Sequence, residues 1–435
     1  MATGRFSPYG CWPGCVRRQS APYDDIGRTE WGAAYRVNED LLAFHRGVGG
    51  PPAGRRAPVL SAGQAMTDSA GRLAILTSGG DSPGMNAAIR VATLFALARG
   101  WTVLGVSDGY RGLVDRRLSA LTPEDVSGII REGGTILGSA RCLEFHEPAT
   151  RDAARACLRE LRVDGLLVIG GNGSLAGAAA LSDPREAGDL ATRVIGVPAS
   201  IDNDIGMTGL ALGVDTAMNT IVEACDKISD TASALHRTFI IEVMGRSCGY
   251  LAMTSAIASG ADAILFPEAG RSEAEIVATV VRTIRAVRAR PGHRNRVLVI
   301  KAEGVGVPTE RLKALVDAEL RGETHERASV ETRVTVLGHV VRGGRPSAFD
   351  RLLASRLAHV AVRAVLAGEH RRMAAWMLPM EPPAAVAHRS ADDPYCWLVD
   401  LDAVLAETER MLSGTSPLVQ WRARVLAEIE DVLSL

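Results

Sequence analysis

The sequence predicts an α/β protein of two Rossmann-like lobes, each with three layers, in which helices cover both faces of a mostly parallel sheet. Three observations predict it. Short apolar runs suited to buried strands alternate with helical periods from Leu73 onward. The alternation pauses at a helical stretch from Asp215 to Thr231 and then restarts. Glycine-bearing turns recur just after the apolar runs, where open α/β sheets bind ligands.

Residues 1–70 stand apart. The stretch 47–63 is rich in Gly, Pro, Ala and Arg without strand or helix period, which favours disorder, and Met66 reads as the biological start. The run Leu73–Thr77 then ends at Gly79-Gly80 and leads into a helix from Asn86 to Ala98. Thr102–Val106, Gly165–Ile169 and Arg193–Val197 are further buried-type strands, and they close a first lobe at 71–213. Thr238–Val243, Ala263–Phe266, Arg296–Ile300 and Arg333–Leu337 supply a second lobe at 214–337, with part of 338–372 returning to complete the first. From 373 to 435 an extended, proline-containing stretch precedes helical patterns at Asp400–Leu412 and Leu418–Leu433, expected to pack on the second lobe.

At 435 residues the chain can bury two cores, and its low aromatic content of 4% makes them aliphatic. A net charge of −1 argues against a nucleic-acid partner. Lys227, Lys301 and Lys313 are the only lysines, so a single arginine carries little weight and clusters beside glycine turns carry more. Seven cysteines show no metal-ligand rhythm; Cys11 and Cys15 lack the second pair a zinc site needs. Cys142, Cys157, Cys225 and Cys248 lie in apolar or helical surroundings and read as small core residues. No apolar run reaches the length of a membrane span, and the N-terminus lacks an apolar leader core, so a cytoplasmic protein with no membrane partner is expected.

The chemistry sits in the turns. Gly79-Gly80-Asp81-Ser82-Pro83-Gly84 joins a strand to a helix, where glycines admit close backbone approach and free N–H groups favour anions, although glycine serves many turns for geometry alone. Gly170-Gly171-Asn172-Gly173-Ser174 repeats the arrangement. With Gly177 it also has a dinucleotide-like spacing, but no strand ending in an acid follows about twenty residues on. No Walker A lysine motif exists, which excludes an ordinary P-loop kinase. Ser200-Ile201-Asp202-Asn203-Asp204 would by itself be a capped turn. Beside two phosphate loops it offers a base, Asp202, for a hydroxyl attacking phosphorus. Downstream, Met244-Gly245-Arg246, Glu303 and the segment from Gly338 to Gly344 each terminate an expected strand. His339 and Arg342, with Arg237 and Arg333 at strand starts, form a set suited to a dianionic phosphate.

From about Leu73 to Leu366 the chain resembles the bacterial 6-phosphofructokinases. The motifs LTSGGDSPGMNAAIR, GGTILGSAR, VIGGNGS, SIDNDI, EVMGRSCGY and TVLGHVVRGG carry the resemblance in order and spacing. It implies the phosphofructokinase fold and transfer of the γ-phosphoryl of ATP, with Mg²⁺, to the 1-hydroxyl of fructose 6-phosphate. By motif, Gly80, Arg141, Cys142 and the turn Gly171, Asn172, Gly173 and Ser174 would hold the donor, in a donor lobe at 71–213. Ser200, Ile201 and Asp202 would face the reacting hydroxyl, with Asp202 accepting its proton. Met244, Gly245 and Arg246 would border the sugar, Arg246 also stabilising the transferring phosphoryl charge. Glu303 would bond sugar hydroxyls, and His339 with Arg342 would bind the 6-phosphate. Arg237 and Arg333 would reach that phosphate from a neighbouring subunit, so the resemblance implies a homo-oligomer, commonly a tetramer.

Pyrophosphate-using relatives carry an acid where this chain has Gly173 and a lysine where it has Ala199, which favours ATP here. Asn172 stands where the family has the aspartate associated with Mg²⁺, and an amide oxygen lacks the charge a small hard cation prefers. Weaker metal binding and slower turnover are therefore expected. Arg90 matches a basic effector contact, but Leu94 and Ser229 replace others, so a weak response to ADP or phosphoenolpyruvate is expected. The alternatives are a pyrophosphate-dependent or sedoheptulose-7-phosphate-using relative, or a weakly catalytic regulatory paralogue.

Overall fold

The computed structural model describes residues 70–188, 190–290, 296–321, 332–378 and 382–433. The expected N-terminal extension, the start at Met66 and the Cys11–Cys15 pair lie outside the described residues.

The first sheet has eight strands in the order β11-β12-β10-β5-β4-β1-β2-β3. Here β1 is Arg72–Ser78, β2 Thr102–Val106, β3 Leu118–Ala120, β4 Gly165–Gly170 and β5 Arg193–Pro198. The C-terminal strands are β10 Arg372–Trp376, β11 Ala387–Arg389 and β12 Cys396–Asp400. The five central strands run parallel, and β3, β11 and β12 are antiparallel additions at the edges. Every residue of β4 is buried, as its unbroken apolar run requires for a strand covered on both faces. Helices α1 (Met85–Leu97), α2 (Gly109–Val114), α3 (Pro148–Glu160) and α4 (Asn172–Leu181) supply the crossovers. β1 leads to β2 on one side, whereas β4 and β5 lie on the other. The chain therefore switches direction between β1 and β4, and a crevice opens at their carboxyl ends.

The second sheet is parallel, in the order β7-β8-β6-β9. Its strands are β6 Thr238–Val243, β7 Ala263–Leu265, β8 Val297–Ala302 and β9 Thr332–Val336. α5 (Val214–Leu235) enters it, followed by α6 (Tyr250–Ser259), α7 (Glu273–Arg288) and α8 (Thr309–Arg321). α9 (Ala348–Leu366) returns to the first sheet and packs along α1. One apolar cluster runs from Leu76 and Val168 through Ile205, Val214 and Ile221 to Ile240 and Val299, so the two sheets share a core.

A buried carboxylate fixes that junction. Asp350, fully enclosed, accepts from Gly213 N at 2.9 Å, Thr216 N at 2.8 Å and Thr216 Oγ1 at 2.5 Å. It thereby satisfies the free N–H groups at the start of α5 with a side chain from α9. Burial pushes its pKa up, opposed by those same hydrogen bonds.

The segment 373–435 departs from expectation. Its strands extend the first sheet rather than packing on the second, because β10 pairs with β5 and carries the β12–β11 hairpin. The last helix, α11 (Pro417–Leu433, after α10 at Leu401–Leu412), reaches the second lobe near β7. Among the described residues no helix is long and apolar enough to cross a membrane.

Candidate active site

Three strand ends of the first sheet meet at the crevice. Asn86, buried at the start of α1, accepts from Ile136 N at 2.8 Å and donates to the Glu132 and Gly133 carbonyls at 3.2 and 3.1 Å. Thr77 Oγ1 donates to Gly138 O at 2.8 Å, and Ser139 Oγ to Gly79 O at 2.6 Å. The GGTILGSAR segment is thus pinned over the first glycine turn, which leaves Arg141 exposed at its end. Cys142 beside it is partly buried, and burial followed by Glu144 pushes its thiol pKa up, so it serves as packing rather than as a thiolate.

The second turn abuts the first. A side chain at Gly170 would come within 2.5 Å of both Ser78 O and Ser174 Oγ, so only glycine fits there. Gly173, in contrast, is exposed and faces open space, with nothing within 4 Å of where a Cβ would stand. Ala199 N donates to Gly170 O at 2.9 Å, which straps the segment after β5 to the end of β4. That segment folds around Asn203, which is 1% exposed with φ 49°. Its amide accepts from Ala211 N at 3.0 Å and donates to Gly209 O at 3.2 Å, and asparagine tolerates the left-handed backbone this requires.

Asn172 Nδ2 donates to Asp204 Oδ2 at 2.6 Å, and Ser200 Oγ donates to Asp204 Oδ1 at 2.7 Å. Asn172 Oδ1 and Asp202 Oδ1 are both buried without a hydrogen-bond partner. The Asp202 pKa is raised to about 6, first by burial and then by Asp204 and Glu303, against the pull of Arg342 and Arg246. The structure therefore brings Asp204, Arg342, Glu303 and Arg246 within electrostatic reach of Asp202. Ile201, 1% exposed, anchors the segment in the core and turns no polar group toward the crevice.

The second sheet supplies the far wall. Met244, Gly245 and Arg246 follow β6, and Glu303 follows β8; Arg246 and Glu303 are exposed. Gly304 N donates to Gly245 O at 3.1 Å, and a side chain at Gly304 would collide with the Arg246 carbonyl. Two expectations are modified. Arg342 lies against Gly80 and donates to Asp81 O at 3.2 Å, so its guanidinium reaches the first glycine turn as well as the His339 segment. Arg237 and Arg333 do not join His339 around one phosphate within a chain. They lie at the amino ends of β6 and β9, whereas exposed His339 lies in the 3-10 turn Gly338–Arg342 beyond the carboxyl end of β9. At about 3.3 Å per residue, Arg333 in the five-residue β9 lies ~10 Å before its carboxyl end, and Arg237, ahead of the six-residue β6, lies farther still. Elsewhere, Arg90 donates to Val126 O at 2.9 Å and Ser229 accepts from Arg296 Nη1 at 3.1 Å.

Comparison with known proteins gives consistent findings. The phosphofructokinase family model matches residues 72–365. Over 302 residues the chain is 45% identical to an ATP-dependent 6-phosphofructokinase of Clostridium botulinum (strain Alaska E43 / Type E3), covering 69% of this chain and 88% of that protein. It is 43% identical over 301 residues to the ATP-dependent 6-phosphofructokinase of Bacillus subtilis (strain 168), with the same coverage of 69% and 88%. Among solved structures, phosphofructokinase from Saccharomyces cerevisiae superposes with a TM-score of 0.69 at 29% identity, over 81% of this chain and 49% of the yeast chain.

Proposed function

The chain belongs to the phosphofructokinase family, and we propose that it transfers the γ-phosphoryl group of ATP to the 1-hydroxyl of fructose 6-phosphate, giving fructose 1,6-bisphosphate and ADP. The carrying observation is convergence. The Asn172 turn and the Asp202 segment are hydrogen-bonded to each other, and Arg246 and Glu303 of the second lobe lie within reach of Asp202.

In this reading the acceptor sugar lies between Glu303 and Asp202, with its 6-phosphate toward His339. The Asp202 carboxylate takes the proton from the attacking hydroxyl as the oxygen–phosphorus bond forms. A pKa of about 6 leaves it mostly ionised at neutral pH yet basic enough to accept that proton. Arg246 and Arg342 stabilise negative charge on the transferring group, with Arg342 already placed against the donor turn. Gly173, open to solvent, leaves room for a nucleotide's phosphates without an opposing charge. Small, neutral, buried Ala199 offers none of the positive charge that a shorter donor would need.

The turn suits Mg²⁺ by type, since Asn172 Oδ1 is an oxygen ligand buried without a partner and the Asp204 carboxylate lies beside it. Bound there, Mg²⁺ would neutralise phosphate charge. Arg237 and Arg333, far from His339 in their own chain, would complete the 6-phosphate site of a second copy in a homo-oligomer, with a tetramer the form implied by resemblance. A cytoplasmic location goes with this activity. Incubating purified protein with ATP, Mg²⁺ and fructose 6-phosphate, with sedoheptulose 7-phosphate as a second acceptor, tests the reading. Fructose 1,6-bisphosphate should form, and its absence would overturn the proposal.

A further inference from the structure

β8 is apolar but for one residue, Lys301, and that side chain is only 1% exposed. Its register partner on β6 is Glu242. Lys301 Nζ donates to Glu242 Oε2 at 3.2 Å and to the Ala302 carbonyl at 3.3 Å. The same carboxylate oxygen accepts from Thr309 Oγ1, at the first residue of α8. One ion pair, with Lys301 buried and Glu242 half-buried, therefore holds both ends of the loop 303–308, which begins with Glu303. Glu242 also lies two residues before Met244, so the pair ties that loop to the one carrying Arg246.

Packing holds only part of the loop: Val305 and Val307 are buried, whereas Glu303 and Gly306 are exposed. Gly304, Val305 and Gly306 line a cavity of about 80 Å³ shared with Phe266 and Ile276. Stability alone does not account for the pair either, because an apolar pair of similar volume commonly serves a core as well as a buried salt bridge. We propose that Lys301, acting through Glu242, is a positioning residue for the acceptor site: it sets the loop 303–308 so that Glu303 and Arg246 face the same sugar. The inference rests on the phosphofructokinase reading of that site.

The test compares wild type, Lys301→Met, and the double variant Lys301→Met with Glu242→Leu. Wild type must first phosphorylate fructose 6-phosphate; failure there removes the activity reading and is seen before any variant is made. Lys301→Met should raise KM for fructose 6-phosphate roughly ten-fold while KM for ATP stays within about two-fold. It should also lower Tm, because half-buried Glu242 loses its cationic partner. The double variant should recover Tm yet retain the raised KM, since the bonds to Ala302 and Thr309 remain absent. Recovery of KM together with Tm, an equal change for both substrates, or an unchanged KM in the single variant would overturn the proposal. Should Lys301→Met fail to fold, the double variant alone decides, by the same KM comparison.

Discussion

The side-chain amide of Asn172 donates to Asp204 Oδ2 across 2.6 Å, joining the second glycine turn to the segment that carries Asp202. Asp204 is then satisfied on both oxygens, since Ser200 holds the other. An aspartate at 172 would set two carboxylates against each other and call for a cation between them; the amide removes that need. Asn172→Asp should therefore lower Tm in metal-free buffer, by loss of a charge-assisted bond worth about 1.5–3 kcal/mol and by repulsion. Added Mg²⁺ should restore Tm more in the variant than in wild type and half-saturate the variant's turnover at lower concentration. Identical Mg²⁺ titrations, in both Tm and rate, would remove the idea.

Asp202 sets an acid limit on activity. A base must be ionised to act, so kcat/KM should rise with pH through about 6 and fall below it. Asp202→Asn should lower kcat by about 10²–10⁴ and abolish that limb. Stability runs the other way. The folded pKa of about 6 exceeds the ordinary 3.8, so the native state holds the proton longer. This carboxyl therefore weakens the fold progressively as pH rises from about 4 to about 6, and by a constant amount above. At pH 7 Asp202→Asn should be more stable than wild type, by up to about 3 kcal/mol, in urea denaturation. A variant that is both inactive and less stable would assign Asp202 a structural role.

Asp350 holds the lobes together through three hydrogen bonds. Asp350→Ala leaves Gly213 N, Thr216 N and Thr216 Oγ1 without that acceptor, and the expected loss is at least about 3 kcal/mol. Urea denaturation measures it, and a loss under about 1 kcal/mol would show that the groups find other partners.

Gly173 separates sterics from charge. Because a side chain there meets nothing within 4 Å, Gly173→Asp should fold with stability close to wild type. It should nonetheless raise KM for ATP several-fold through repulsion of the phosphates, with a smaller effect at high salt. An ATP KM that does not move would mean that the donor phosphates pass elsewhere.

Much of this was legible in the sequence. Apolar runs gave the central strands to within a residue or two because strands buried on both faces leave no polar positions to blur their ends. The motifs named the turns that now prove contiguous. What escaped depends on pairing between distant segments. β10 to β12 are three to five residues long, and Ala374 and Ala375 carry weak strand preference, so their place in the first sheet is set by docking on β5. Lys301 fell one residue past the expected strand end at Ile300, and its partner needed the register of β6 against β8. Arg342 was grouped with His339 by proximity in sequence, whereas its long side chain crosses to the Asp81 carbonyl. Asn86 and Asn203 lay within recognised motifs, and only the folded loops reveal that their amides hold the turns in shape.

The most direct measurement is fructose 1,6-bisphosphate formation by the purified chain, with ATP and with pyrophosphate, each with and without Mg²⁺. Turnover with ATP, dependent on Mg²⁺ at concentrations above those needed by Asn172→Asp, and little or none with pyrophosphate, is the expected result. Product from pyrophosphate in preference to ATP would contradict the donor assignment. No product from either would contradict phosphoryl transfer at the joined Asn172 and Asp202 segments.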